Sequence, residues 1–484
     1  MEELDIATIT KRSIHGVLAL VSRTFIIQII SLAVSVVLYA LLSETEIGIF
    51  YVVSASIAFL AYFSDIGLAA ALIQKKEALT DEDLKTTFTI QQILVVCAVI
   101  IALALSGVVG SIYKLNSEGV LLFQALVVSF FFSSLKTIPS IILERNLKFD
   151  KLVIPQIIET IVFNVVVLVC ALNGFGIASF TYAVLARGLS GLIAMYLIAP
   201  WKIGISLSKQ VAKRLLSFGI PFQANSVLAL LKDDLLTLYL GAVLPFKEVG
   251  YIGFAQKWAY TPLRLIMDNV IRITFPSFSR LAHDKTHLGK AIEKSLFVAV
   301  FLIFPSLTGL VILAPYFIDF IPKYQKWEPA ILSLGLFALN ASLSSISTPL
   351  TNALNAIGKV KVTLYLMIFW TTATWVATPL AIHFFGFNGV AATSAVLAFS
   401  VVIVIYLVRR YVSFSLRHIL ITPLVATFVM GVIIYSLSSL LVHNLAMIFV
   451  MIGIGAAVYM GMMMALAKQQ LVADFKMIRE NLKK

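Results

Sequence analysis

Residues 152–199 have the sequence LVIPQIIETIVFNVVVLVCALNGFGIASFTYAVLARGLSGLIAMYLIA. Two apolar runs, 152–172 and 177–199, flank the four residues Asn173–Gly176. A helix that crosses the hydrocarbon core of a bilayer needs about 20 mostly apolar residues, and each run is long enough. The Asn-Gly-Phe-Gly sequence between the runs is typical of a tight turn. This stretch therefore predicts a transmembrane helical hairpin.

The same pattern fills the rest of the chain. Of its 484 residues, 60% are hydrophobic and only 13% are charged, whereas soluble domains carry about 25% charged residues. Lipid must therefore be the main solvent, and we expect an all-α integral membrane protein with about 14 transmembrane helices. The predicted spans, numbered in chain order, are 17–42, 47–73, 89–113, 119–143, 152–172, 177–199, 217–240, 248–274, 291–313, 329–353, 362–383, 387–411, 419–441 and 444–466.

Basic residues are distributed unequally between the two sides of the predicted bundle. If the N-terminus is inside, the inner segments, together with the adjoining span ends that carry Lys294, Arg409 and Arg410, hold 26 of the 37 Lys and Arg residues, the outer loops hold four, and the other seven lie within spans. This bias follows the positive-inside rule and predicts a multi-pass protein of the cell (cytoplasmic) membrane with both termini cytoplasmic. It also accounts for the net charge of +13 without a nucleic-acid partner, because basic residues face anionic lipid headgroups. The inner stretch 75–85, with its acidic Thr-Asp-Glu-Asp sequence, predicts a short interfacial helix.

The two halves of the chain resemble each other. The residues Leu-Tyr, followed by Glu-Ile-Gly, at 38–48 recur as Leu-Tyr, followed by Glu-Val-Gly, at 238–250. This offset pairs spans 1–6 with spans 7–12, and because six is even both halves share one orientation. We therefore expect two six-helix lobes related by a pseudo-twofold axis along the membrane normal, with a transport site between them. The predicted organisation is an N-lobe (1–199), a cytoplasmic linker (200–216), a C-lobe (217–411) and two further spans with a cytoplasmic tail (412–484).

Four segments carry a more specific signal than hydrophobicity. They are DIGLAAALIQKKE at 65–77, PSIILERNLKF at 139–149, RITFPSFSRL at 272–281 and Lys326-Trp327. Their order and spacing resemble the polysaccharide transporter (Wzx-like) flippases of the multidrug/oligosaccharidyl-lipid/polysaccharide exporter superfamily. The resemblance implies two six-helix lobes around a central cavity. It also implies movement of a polyprenyl-(pyro)phosphate-linked glycan to the outer leaflet, for cell-surface polysaccharide biosynthesis.

Charged residues inside the predicted spans are the candidates for function. Each costs about 2.5–3.5 kcal/mol at the bilayer centre on insertion scales, so these residues must pair, lie near an interface or line a wet cavity. The basic ones are Arg23, Lys136, Arg187, Lys232, Lys257, Arg264 and Arg272, and the acidic ones are Asp65, Glu159, Asp233, Asp234 and Asp268. We predict that the substrate's phosphate groups contact Arg23, Arg187, Lys232, Lys257, Arg264 and Arg272.

Span 8 is the most informative of these segments. Lys257, Arg264, Asp268 and Arg272 follow helical spacing and form one stripe. Pro262 is predicted to interrupt the span, as helix breaks near transporter sites do. The alternative is a structural ladder in which Asp268 bridges the two arginines at i±4 spacing.

Ion coupling is assigned to carboxylates. Asp233 and Asp234 are adjacent, so their mutual repulsion favours proton uptake by one of them, an effect that Lys232 opposes. We predict coupling to H⁺ or Na⁺ through Asp233, Asp234, Asp268 or Asp65, with no catalytic residue, metal site or other cofactor. No nucleotide-binding G-x-x-x-x-G-K-[ST] sequence occurs, so ATP is not the direct energy source.

Three functions are compatible with these features. The first is the flippase, with a lipid-linked glycan, membrane lipid and polysaccharide-assembly proteins as partners. The second is a drug or metabolite exporter of the same superfamily, whose cationic substrates would suit the buried aspartates. The third is a membrane polymerase or glycosyltransferase, which the short outer loops disfavour.

Overall fold

The computed structural model describes residues 26–65, 67–75, 77–224 and 227–482, and it describes the side chains of most of them. This part of the chain is α-helical apart from a 3-10 turn and short connections. Two compact units form, Met1–Gly250 and Tyr251–Lys484.

The helices of the first unit are α1 (Ile26–Leu41), α2 (Glu44–Asp65), α3 (Leu68–Gln74), α4 (Asp81–Ala104), α5 (Ser106–Ile112), α6 (Ser117–Leu135), α7 (Thr137–Arg145), α8 (Phe149–Leu172), α9 (Ala178–Ile198), α10 (Lys209–Ala224) and α11 (Val227–Val243). Those that follow are α12 (Phe246–Arg280), which begins in the first unit, α13 (Lys285–Phe320), α14 (Ile331–Ala356), α15 (Val360–Phe385), α16 (Asn388–Ala398), α17 (Val401–Arg409), α18 (Arg417–Leu441) and α19 (Leu445–Leu482).

The membrane-spanning character of these helices confirms the predicted fold class. Within the described residues, 11 segments are long and apolar enough to cross a bilayer. They correspond to predicted spans 2–6 and 9–14. Helix α1 is the described part of span 1, and span 7 corresponds to α10 and α11. Span 8 is α12, whose mid-helix charges lower its apolar character.

The second unit has one continuous apolar core. Helix α13 packs against α14, α18 and α19, and buried side chains from all four belong to the same cluster. The hydroxyl of Tyr459 donates a hydrogen bond to the carbonyl of Phe301 across 2.9 Å. Spans 13 and 14 therefore share the apolar core of this unit through α13. Helix α19 departs from helical geometry at Ala467 (φ −136°), next to the predicted end of span 14.

The repeated Glu-x-Gly sequences lie at a close crossing inside the first unit. A Cβ atom on Gly48 would lie 1.9 Å from the carbonyl oxygen of Phe246, and one on Gly250 would lie 2.0 Å from that of Glu44. The contact is reciprocal, since Gly48 and Gly250 are 202 positions apart, as are Glu44 and Phe246. Glycine is required at both positions because backbone meets backbone there. This symmetric contact supports the predicted sequence repeat.

The segment at 75–85 differs from its prediction. It is not an interfacial helix, because Thr80 caps the N-terminus of α4 instead. The backbone N–H of Asp83 donates to the Thr80 hydroxyl, and the Thr80 N–H donates to the Asp83 carboxylate. This reciprocal arrangement is a capping box, which starts a helix at the following residue. The acidic turn therefore belongs to the spanning helix itself.

Two of the motif segments meet near that cap. Arg145, from the segment 139–149, donates hydrogen bonds to the backbone carbonyls of Leu72 and Glu77 in the segment 65–77. Asp83 is almost fully buried and pairs with Lys75 at 2.5 Å and with Arg214 of α10 at 2.6 Å. These contacts give the motif residues a structural role, which is to tie α3, α4, α7 and α10 together.

Candidate functional site

The predicted site residues are distributed over both units. Arg23 lies outside the described residues, and so does the side chain of Asp65, the last residue of α2. Arg187 lies on α9 of the first unit, and residues 232–234 lie on α11 of the same unit. Residues 257–272 lie on α12, within the second unit.

The two adjacent carboxylates on helix α11 have different surroundings. The Nζ atom of Lys232 lies 3.4 Å from Oδ1 of Asp233, whose side chain is 68% exposed. Asp234 is partly buried, and within the described part of the chain no ion pair or hydrogen bond reaches its carboxylate. Lys232 thus neutralises Asp233 and leaves Asp234 as the carboxylate without a basic partner.

The charged stripe on α12 is present as one helix face. Arg264, Asp268 and Arg272 are exposed and Lys257 is half-buried. A helix of 35 residues is about 52 Å long, well over the thickness of the hydrocarbon core. Arg264 is near its midpoint, about 25 Å along the helix from either end, and lies within predicted span 8. An exposed guanidinium at that depth requires a wet surface rather than lipid.

Helix α12 is continuous, which corrects the prediction of a break at Pro262. It runs through Pro262 and Pro276 without interruption. A proline inside a helix removes one hydrogen-bond donor, but membrane helices tolerate it when neighbouring groups satisfy the freed carbonyl. The carbonyl that loses its helical donor to Pro262 is that of Trp258, and the hydroxyl of Thr261 donates to the carbonyl one residue earlier, that of Lys257, at 2.5 Å.

The stripe does not form the ion-pair ladder that was the alternative to ligand contact. Among the described residues, no salt bridge joins Asp268 to Arg264 or Arg272, although both lie at i±4 spacing, and none involves Lys257. Helical spacing brings two side chains to the same face but leaves exposed, flexible ones free to point apart. The basic groups on α12 are therefore available to a ligand.

Another face of α12 anchors it within the second unit. Met267 and Phe278 are buried there. The Tyr260 hydroxyl donates to Oδ1 of Asn340 on α14 at 3.1 Å, and Nδ2 of Asn340 donates to the carbonyl of Ser394 on α16 at 2.7 Å. These fixed contacts hold the helix so that the charged stripe keeps its orientation.

A second charged cluster, which the sequence did not reveal as a unit, lies in the first unit. Glu159 of α8 pairs through Oε1 with Lys136, which follows α6. Its Oε2 lies 3.9 Å from Nε of Arg187 on α9, and the Arg187 guanidinium lies over the ring of Phe163 at 5.9 Å. All three charges were recognisable as intramembrane residues. Their convergence was not, because they are separated by more than 20 positions from one another along the chain.

Among the residues that the structure describes, no group of three or more His, Cys, Asp or Glu side chains could hold a metal ion.

These features define a class: a polytopic α-helical membrane protein with basic and acidic groups held at membrane depth. Residues 37–332 match the family described as polysaccharide biosynthesis protein. The chain belongs to this family.

Curated relatives agree with that assignment. The chain is 23% identical to the lipopolysaccharide biosynthesis protein WzxC of Escherichia coli, over 75% of this chain and 74% of the relative. It is 25% identical to the succinoglycan biosynthesis transport protein ExoT of Rhizobium meliloti, over 73% and 70% respectively.

Solved structures share the fold. The lipid II flippase MurJ in an inward closed conformation superposes with a TM-score of 0.76 at 16% identity, covering 93% of this chain and 99% of MurJ. An inward-facing multidrug resistance transporter of the MATE family gives a TM-score of 0.63 at 17% identity, covering 81% and 97%. At these identities the likeness shows the fold alone.

Proposed function

We propose that this protein is a secondary transporter that flips a lipid-(pyro)phosphate-linked oligosaccharide from the cytoplasmic to the outer leaflet by alternating access. The cargo would serve cell-surface polysaccharide biosynthesis, as the names of the relatives suggest for those proteins. The observation that carries the proposal is that two basic side chains of α12, Lys257 and Arg264, lie within predicted span 8 and have no ion-pair partner among the described residues. The activity is transport without chemical conversion, and polysaccharide-assembly proteins are the proposed protein partners.

The chemistry of the cargo explains why these residue types are needed. A pyrophosphate that crosses the membrane loses hydration and needs charged donors in its place. Arg offers a planar fork matched to phosphate oxygens, and Lys offers a compact point charge. Lys257 and Arg264 are the first-choice contacts, and Arg23, Arg187, Lys232 and Arg272 are further proposed phosphate contacts.

Reconstitution tests the function directly. The purified chain in phosphatidylcholine vesicles is expected to expose an undecaprenyl-pyrophosphate-linked oligosaccharide, loaded in the inner leaflet, to an added glycosidase. Protein-free vesicles provide the baseline. Exposure of the glycan at the baseline rate, with active export of a cationic dye, would favour the second candidate, a drug exporter. That candidate has support from the carboxylate of Asp234, which has no basic partner within the described part of the chain.

Coupling to an H⁺ or Na⁺ gradient is proposed to act through Asp234, with Asp233, Asp268 and Asp65 as the other candidates. Asp234→Asn is expected to remove the dependence of flipping on the gradient, because the amide cannot exchange a proton or hold a cation. Asp233→Asn is the matched control and is expected to retain most of that dependence, since Lys232 already neutralises Asp233. Initial flipping rates with and without each gradient measure this effect. Gradient-dependent flipping in Asp234→Asn would contradict the assignment.

The proposed location is the cell (cytoplasmic) membrane with both termini cytoplasmic. Fourteen crossings return the chain to the side on which it started, and the basic bias of the inner segments supports that side as the cytoplasm. Alkaline phosphatase fused after Lys484 is therefore expected to be inactive, and green fluorescent protein fused there to be fluorescent. Fusions after Lys114, in a predicted outer loop, should give the opposite pattern. An active phosphatase at Lys484 would refute the proposed cytoplasmic C-terminus.

A further inference from the structure

The cluster formed by Lys136, Glu159 and Arg187 has more positive charge than its carboxylate can neutralise. Glu159 and Lys136 have side chains that are each 13% exposed and are in direct contact, whereas the Arg187 side chain is 55% exposed. The 3.9 Å separation between Arg187 and Glu159 exceeds hydrogen-bond length, which is about 2.7–3.2 Å for N–H···O. The pair of Lys136 and Glu159 is thus complete, and Arg187 supplies an excess charge.

The depth of the cluster makes that excess charge significant. Glu159 is near the middle of α8 (Phe149–Leu172), and Arg187 is near the middle of α9 (Ala178–Ile198). No side-chain hydrogen bond to the Arg187 guanidinium occurs among the described residues. A guanidinium whose N–H groups have no acceptor carries a high free-energy cost near the bilayer centre unless it faces water or an anion.

The surroundings of Arg187 are built to hold it in place. Phe163 lies under the guanidinium at 5.9 Å, a cation–π geometry that leaves its N–H edge free. A Cβ atom on Gly191 would lie 1.8 Å from Oε1 of Glu159. Only glycine at position 191 therefore leaves room for the Glu159 carboxylate where it now sits.

We infer that Arg187 is the primary ligand of a second anion site, one that binds a phosphoryl group, and that this site lies beside the complete ion pair of Glu159 and Lys136. The site lies wholly in the first unit and uses residues that the α12 stripe does not. The choice of a phosphoryl group rests on the proposed function. The group could belong to the lipid carrier or to an anionic phospholipid headgroup, which share this chemistry.

Binding of inorganic pyrophosphate to the purified full chain in phosphatidylcholine nanodiscs tests the site by calorimetry. Arg187→Gln is expected to remove one binding site per chain, with the melting temperature unchanged because Arg187 is loosely paired. Glu159→Gln is expected to tighten that site several-fold by removing the competing carboxylate. Gly191→Ala, which displaces Glu159 without changing any charge, should alter the affinity. Arg280→Gln, at the exposed end of α12, is the matched control and should bind as the wild type does.

Phosphatidylglycerol in the nanodiscs separates the two sources of the phosphoryl group. Competition with pyrophosphate at the Arg187 site would identify the headgroup as occupant, and lack of competition would identify the lipid carrier. Wild-type stoichiometry and affinity in Arg187→Gln would overturn the inference, as would a lower melting temperature with no change in binding. Neither result depends on flipping, so vesicles that fail to flip would overturn the proposed function and leave this site intact.

Discussion

Arg264→Ala and Lys257→Ala are each expected to reduce the rate of flipping by about ten- to a hundredfold, while the protein still inserts and folds. A hydrogen bond to a charged group contributes about 1.5–3 kcal/mol, which corresponds to that range. Folding should be retained because Arg264 is exposed and has no ion pair within the described part of the chain. Initial rates of glycan exposure in vesicles and melting temperatures in detergent measure the two effects.

An ion-pair ladder on α12, if it held in the membrane, would give the opposite pattern for the same variants. If Asp268 held Arg264 in place, Arg264→Ala would lower the melting temperature and the double change Arg264→Ala/Asp268→Ala would partly restore it. Restored flipping in the double variant would remove Arg264 from the site and leave Lys257 as the candidate on that helix. Arg280→Ala is the matched control, and Arg264→Lys, which keeps the charge but loses the planar fork, should retain part of the activity.

Much of the fold could be predicted from the sequence because lipid imposes a simple rule. A segment that crosses the bilayer must satisfy its own backbone hydrogen bonds and be apolar for about 20 residues. That rule located the hairpin at 152–199, whose helices α8 and α9 match both runs closely. The prediction of an interfacial helix at 75–85 came instead from the acidic turn, and it was wrong because hydrogen bonds between Thr80 and Asp83 make that turn the start of α4.

The candidate site was less predictable, since its properties depend on contacts between distant residues. Periodicity placed the α12 charges on one face, but it also suggested a pairing of Asp268 that the structure does not contain. Pro262 indicated a break, yet α12 continues through it. The pairing of Glu159 with Lys136 depends on how α6 and α8 pack, which no local spacing encodes. The assignment of Asp234 likewise required the position of Lys232.

The glycine crossing near the starts of α2 and α12 leads to the last prediction, which concerns stability. Gly48→Ala and Gly250→Ala each place a Cβ atom about 2 Å from a backbone carbonyl oxygen, and a backbone atom cannot move aside as a flexible side chain can. Overpacking of this kind typically costs about 1–3 kcal/mol. We expect each variant to unfold at a lower temperature or denaturant concentration than the wild type in detergent.

Gly309→Ala is the matched control, because it lies inside α13 with no atom within 4 Å of the added Cβ. Replacing an open helical glycine by alanine should stabilise the protein by about 0.5–1 kcal/mol. The two crossing glycines share one contact, so separation of the backbones in the first variant makes room for the second substitution. The double variant should therefore cost less than the sum of the single ones, as residues in contact generally do. Fully additive costs would mean that the two glycines act at independent contacts, and costs no greater than that of Gly309→Ala would mean that the crossing is not close.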